Sequence, residues 1–155
     1  MIRRELALIF LFFHCFMSSS FAQGIYFRVL GAKEKVLFEG NFILSGESVG
    51  EISNTLLEQA LAQKKLIQYV GSESAVLSIN NLGTAYEIPV ADDTQMAAYG
   101  WCYRVDGRLP LDLRPDEYKL TGEEAQIEWF YAYAHYDKGE WKPMCVPADH
   151  EPVQE

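Results

Sequence analysis

The stretch that decides the fold reads Tyr99-Gly100-Trp101-Cys102-Tyr103-Arg104-Val105-Asp106-Gly107. Large apolar side chains alternate with small or charged ones, and this two-residue period is typical of a β-strand with one buried face. Trp101, Tyr103 and Val105 share one face, with Cys102, Arg104 and Asp106 opposite. The Asp-Gly pair is a strong signal for a hairpin turn. We therefore predict a strand that ends in a tight turn.

A second long strand is predicted over Glu124–Tyr136, where Ile127, Trp129, Tyr131 and Tyr133 fall on one face. The two strands are rich in aromatic residues, which can form a platform for a flat ligand or a sugar. They can equally form a core row packed under a helix. Both interpretations stay open, and the candidate ligand-binding residues are Tyr99, Trp101, Tyr103, Trp129 and Tyr131.

The remaining periodicity predicts one helix and further short strands. Ser48 and Glu51 fit a capping box at the start of a helix over residues 48–65, and its apolar stripe is Ile52, Leu56, Leu57 and Leu61. Strands are predicted at Ile25–Leu30, Val36–Leu44, Ile67–Val70, Ala75–Ile79, Thr84–Ile88 and Trp141–Val146. This order of elements predicts an α+β fold with one main helix packed on a mixed β-sheet.

Residues 1–22 are predicted to be a signal peptide. Arg3 and Arg4 precede the apolar run Leu6–Met17, and Ser20-Phe21-Ala22 is a suitable cleavage site. A retained membrane anchor is the alternative. We expect a secreted or periplasmic protein whose domain covers residues 23–146, with no membrane span after cleavage. Residues 147–155 show no apolar periodicity, so we expect a flexible tail.

Charge and composition exclude several classes of protein. The chain of 155 residues has a net charge of −9, so it lacks the basic patch that nucleic-acid binding requires. The sequence contains no His/Cys cluster and no glycine-rich phosphate loop. We therefore expect no metal, no cofactor and no nucleic-acid partner.

The predicted mature chain retains two cysteines, Cys102 and Cys145. In an exported protein, such a pair favours a disulfide. Two free, buried cysteines are the alternative, and in that case Cys102 could act as a nucleophile with His135 as its base.

Several motifs resemble a known family. They are the Gly100–Gly107 segment, Pro110, the Glu117–Glu123 segment and Ile127-Glu128-Trp129-Phe130-Tyr131. Together they resemble the DUF4430, or transcobalamin-like C-terminal, family. The resemblance implies a β-grasp-like roll over residues 23–146, and it makes a cobalamin-type ligand possible.

These observations predict an exported, non-catalytic binding module for a small molecule or a glycan. The alternative is a protein-interaction or structural factor of the cell envelope or secreted milieu. An enzyme is a third and weaker hypothesis. An exposed aromatic groove would favour the first function, whereas an apolar patch or an unpaired edge strand would favour the second.

Overall fold

The computed structural model describes residues 22–88 and 94–152. Except for Ala22, the predicted signal peptide therefore lies outside the described residues, as do residues 153–155 of the predicted tail. The helix α1 is Val49–Ala62, and the strands are β1 (Gln23–Leu30), β2 (Val36–Leu44), β3 (Tyr69–Ser72), β4 (Ala75–Ile79), β5 (Ala85–Glu87), β6 (Gln95–Val105), β7 (Glu124–Asp137), β8 (Glu140–Trp141) and β9 (Val146–Pro147). Among the described residues, no helix is long and apolar enough to cross a membrane.

The main sheet is mixed and has the strand order β2-β1-β7-β6-β5, while β3 and β4 form a separate hairpin. All neighbours in this order pair antiparallel except β1 and β7, which run parallel. The short strands β8 and β9 pair with the second half of β7. The structure is thus an α+β fold in which one helix lies on a curled mixed sheet, as the sequence predicts.

Helix α1 begins where the sequence places it. The Glu51 amide donates a hydrogen bond to the Ser48 hydroxyl at 3.2 Å, and the Glu51 carboxylate accepts one from the Glu47 amide at 2.8 Å. Ile52, Leu56 and Leu57 are buried, but Leu61 is 37% exposed. The prediction that Leu61 faces the core is therefore wrong: at this last turn, one residue before the end of α1, Ala60 is the buried residue.

The face of the sheet opposite the helix carries a row of charges across four strands. Glu39, Arg28, Glu128 and Arg104 are register neighbours on β2, β1, β7 and β6. Glu128 is 8% exposed, and its carboxylate lies 2.9 Å from Arg104 Nε and 3.6 Å from Arg28 Nη1. Ion pairing on both sides compensates for the desolvation of this carboxylate.

The segment after β7 differs from the loose tail expected beyond Val146. Ala148 is 2% exposed, its amide donates to the Tyr131 carbonyl at 3.0 Å, and its carbonyl accepts from the Lys33 amide at 2.7 Å. Backbone hydrogen bonds, rather than an apolar stripe, attach residues 147–148 to the sheet. Apolar periodicity therefore gave no signal for this contact.

Candidate functional site

The five aromatic residues proposed as a ligand platform lie mainly inside the protein. The exposed fractions are 4% for Tyr99, 8% for Tyr103, 2% for Trp129 and 1% for Tyr131, and Trp101 is partly buried. Their rings pack on one another, with centroids 5.4 Å apart for Tyr103 and Trp129 and also for Trp101 and Tyr131. Most of this aromatic surface therefore contributes to the core.

The polar atoms of these aromatic residues make hydrogen bonds within the protein. Trp129 Nε1 donates to Ser53 Oγ and Trp101 Nε1 to the Leu82 carbonyl, both at 2.8 Å. The hydroxyl of Tyr103 donates to the Leu113 carbonyl at 2.9 Å, and that of Tyr131 to the Gly83 carbonyl at 2.7 Å. Burial raises the pKa of both Tyr103 and Tyr131 to about 12. These groups anchor helix α1 and two loops to the sheet, so a ligand would have to use the ring surfaces.

Three of the five, Trp101, Tyr103 and Trp129, line a cavity of about 250 Å³. We call it the β6 cavity. Its other walls are the start of β4 at Ser74–Val76 and the loop Leu109–Pro115, excluding Asp112. On the opposite face of the sheet, Cys102, Met144 and Cys145 close it. Because its lining comes from both faces, the cavity straddles the edge of β6.

The cavity is rimmed by apolar side chains that remain exposed. Leu109, Leu111, Leu113 and Met144 are 40%, 56%, 47% and 54% exposed. A group of exposed apolar residues around an apolar cavity is typical of a binding surface rather than of an inert one.

The disulfide predicted between Cys102 and Cys145 is present, with their Cα atoms 5.8 Å apart. It crosses the face of β7 and holds Met144 beside β6. Because the Cys102 sulfur is in this bond, it is not available as a nucleophile with His135 as its base.

The edge of β6 is open next to the cavity. Strand β5 pairs only with Ala97–Tyr99, and Val105 near the end of β6 is bridged to Arg108 on the same side. Between these two contacts, no strand among the described residues pairs with Trp101 or Tyr103, and β4 lies close to β6 without pairing with it. The Asp106 amide donates to the Gln126 carbonyl of β7, so even-numbered residues of β6 bond to β7. Trp101 and Tyr103 therefore turn their N–H and C=O groups toward the open edge.

One close backbone contact positions two walls of the cavity. The Gly50 amide, in the first turn of α1, donates to the Pro115 carbonyl at 2.8 Å. A β-carbon at Gly50 would overlap the Glu73 carbonyl oxygen and would lie 2.8 Å from the Asp116 nitrogen. The helix start, the β3–β4 turn and the loop that follows β6 meet at this glycine.

A cluster of polar groups at the other end of β6 was missed by sequence reasoning, which placed His150 in a loose tail. Its Nε2 lies 3.0 Å from the Tyr99 hydroxyl and 3.2 Å from Glu87 Oε2, while Nδ1 lies 2.6 Å from Asp149 Oδ1. Hydrogen bonds to Asp149 and then to Glu87 raise the pKa of His150 above its ordinary value. Burial, followed by the hydrogen bond to Glu87, raises the pKa of Tyr99. This cluster closes the β5 half of the sheet edge.

A larger cleft, of about 730 Å³, lies at the opposite end of the sheet. Tyr26, Asn41, Asp106, Glu124 and Gln126 are among its lining residues, and none of the five predicted aromatics is. Among the described residues, no group of three or more His, Cys, Asp or Glu side chains is arranged to hold a metal ion.

A scan against models of known protein families, a search of curated proteins and a search of solved structures find no match to this chain. The resemblance to the transcobalamin-like family stays a prediction.

Proposed function

We propose that this protein is an exported, non-catalytic binding module whose ligand places an apolar group in the β6 cavity. The observation that carries the proposal is the lining of this cavity by Trp101, Tyr103 and Trp129 inside a rim of exposed leucines. A volume of about 250 Å³ is slightly below the range of roughly 300–1,000 Å³ for drug-sized ligands. The group bound is therefore small, about the size of one aromatic ring system.

The finer parts of the sequence prediction belong to this proposal. A parallel β1–β7 pair beside a helix supports the β-grasp-like roll implied by the resemblance. The Cys102–Cys145 disulfide supports a secreted or periplasmic location, since such bonds persist in oxidising compartments. A corrin is far larger than the β6 cavity, so cobalamin is a less suitable ligand than a single ring.

Indole is a suitable probe, because it is apolar and of the right size. Titrated into the isotope-labelled protein, it should give saturable NMR shifts at Trp101, Tyr103 and Met144, with a dissociation constant of about 1 mM. L111S removes part of the rim and should weaken binding. Ile43, 80% exposed on β2 at the far side of the sheet, provides the matched control I43S. The absence of saturable shifts up to about 10 mM, a concentration giving roughly 90% occupancy at that affinity, would overturn the proposal.

The alternative function, protein interaction through a sheet edge, is favoured by one specific observation. The open stretch of β6 directly borders the apolar cavity, so a partner can use both together.

A further inference from the structure

We infer that the occupant of the β6 cavity is a side chain of a partner protein, carried on an extended segment that pairs with the open edge of β6 and has a basic residue beside the apolar one. This inference rests on the proposed function and names its ligand class.

The backbone supplies the first reason. The N–H and C=O groups of Trp101 and Tyr103 face away from β7, and between β5 and the Val105–Arg108 bridge no strand among the described residues pairs with them. An added strand would satisfy these groups and would direct alternate side chains to either face of the sheet. The β6 cavity extends around this edge, so one side chain of the added strand would enter it.

The two outer edges of the sheet differ in their suitability for such pairing. The middle of β2 contains Glu39, Gly40 and Asn41, of which Glu39 and Asn41 are exposed, and charge and glycine both disfavour the addition of a strand. On β6, the open stretch contains Trp101, Cys102 and Tyr103, which have the residue types that favour strands. The geometry therefore points to β6 rather than β2.

Charge complementarity supplies the reason for a basic partner. A cleft beside the β6 cavity is lined by Asn54, Glu58, Asp116 and the turn residues Gly71–Ser74, so all three of its charged residues are acidic. The cleft and the cavity share Ser74, and they are also lined by the consecutive residues Pro115 and Asp116. A segment with its apolar side chain in the cavity thus brings the side chain two residues away, which points to the same face, towards this cleft.

The carboxylates of this cleft are only partly neutralised. Arg114 lies 3.1 Å from Asp116 Oδ2, whereas the described residues form no ion pair with Glu58 or Glu73. The net charge of −9 also opposes pairing with a second copy of this chain. A lysine or arginine from a different protein would pair with these carboxylates and would avoid the repulsion between two acidic copies.

Synthetic octapeptides test the inference. The first alternates valine and threonine, with one central tryptophan and a lysine two residues after it, on the same face. The second has glutamate in place of lysine, and the third is the lysine peptide with N-methyl groups on the two amides that flank tryptophan. Binding is measured by fluorescence anisotropy at low and high salt, and indole binding is measured in parallel.

The lysine peptide should bind at least tenfold more tightly than the glutamate peptide, with the difference shrinking at high salt, because opposite charges attract and salt screens them. N-methylation should reduce affinity about tenfold, since it removes strand hydrogen bonds. E58Q/E73Q should reduce the preference for lysine, while E34Q/E140Q, the same charge change at exposed sites elsewhere, should leave it unchanged.

Equal binding of the lysine and glutamate peptides, or binding insensitive to N-methylation, would overturn the inference. If indole binds and no peptide does, the inference fails and the proposed function stands. If neither indole nor any peptide binds, both fail.

Discussion

The two halves of the outer edge of β6 differ although they belong to one strand. At Ala97–Tyr99 the edge is covered by β5 and braced by the Tyr99–Glu87–His150 cluster. From Trp101 to Tyr103 it is open and borders the β6 cavity. The covered half has two alanines and one tyrosine, whereas the open half has a tryptophan and a tyrosine on either side of Cys102. The two halves thus differ both in their side chains and in the element packed outside the strand.

The largest expected effect comes from removing the Cys102–Cys145 disulfide, which holds Met144 at the wall of the β6 cavity. C102S/C145S should lower the free energy of unfolding by about 4 kcal/mol, because the bond closes a long loop in the unfolded chain. Urea unfolding of oxidised wild type and variant measures the loss. Indole binding should weaken as Met144 moves away, whereas a variant with full stability and unchanged binding would show that the bridge supports neither property.

The next largest effect is expected at Gly50, where two walls of the β6 cavity meet the start of α1. G50A should cost about 3 kcal/mol, because the new methyl group overlaps the Glu73 carbonyl and forces the backbone apart. G100A is the matched control in the open half of β6, since a β-carbon there meets nothing within 4 Å. Urea unfolding should show a change below about 0.5 kcal/mol for this control. Equal losses of unfolding free energy in G50A and G100A would show that Gly50 does not position the walls of the cavity.

Two tyrosine variants compare the halves directly. Y103F and Y99F should each cost about 1 kcal/mol, since each removes a hydroxyl with a hydrogen-bond partner inside the protein. Only Y103F should also weaken indole binding, because its hydroxyl holds the Leu113 carbonyl in the cavity wall. A loss of indole affinity in Y99F equal to that in Y103F would show that the halves are not independent.

The smallest effect concerns the closed half and depends on pH. The pKa of His150 is raised in the folded state, so protonated His150 stabilises the fold. This contribution to the free energy of unfolding is fully present below about pH 6.5 and is lost as pH rises through the folded-state pKa. The hydrogen bond to His150 also lowers the pKa of Asp149. The interaction between the two side chains is therefore lost at acidic pH, when pH falls through the lowered pKa of Asp149. Because the His150 side chain is 50% exposed, we expect less than about 1 kcal/mol.

The measurement compares H150Q with wild type by urea unfolding at pH 5.5 and pH 8. The difference in stability should be larger at pH 5.5. H135Q, which replaces the other histidine of the described residues, is the control. A difference for H150Q that does not change between the two pH values would contradict the expected linkage.

Local patterns were sufficient to predict most of the fold. Alternation placed Trp101, Tyr103 and Val105 on the helix-facing side of β6, and the capping pair located the start of α1 at Ser48. These signals are local because side-chain direction follows the backbone period. The disulfide followed from the pairing of the only cysteines left after predicted export.

The site required information that no local pattern contains. Whether Tyr99 and Trp101 are covered depends on which distant segment lies beside them, and β5 and the Ala148–His150 segment are identifiable only in the folded chain. The contact of Gly50 with Glu73 and Asp116 is likewise tertiary. The division of the five aromatic residues between core and cavity lining therefore could not be predicted from the sequence, and their role in binding stays a prediction.

The parallel pair β1–β7 has a consequence for folding kinetics. It joins Gly24 to Glu124 and Leu30 to Phe130, so residues about 100 positions apart must meet before the sheet closes. Such long-range pairing slows folding, because loop-closure entropy is lost before the contacts form. A nascent chain can form the β1–β2 hairpin early, but β1 keeps one unpaired edge until β7 emerges. The row Glu39–Arg28–Glu128–Arg104 then favours a single register, since a slip of two residues would place Arg28 opposite Gln126 or Phe130.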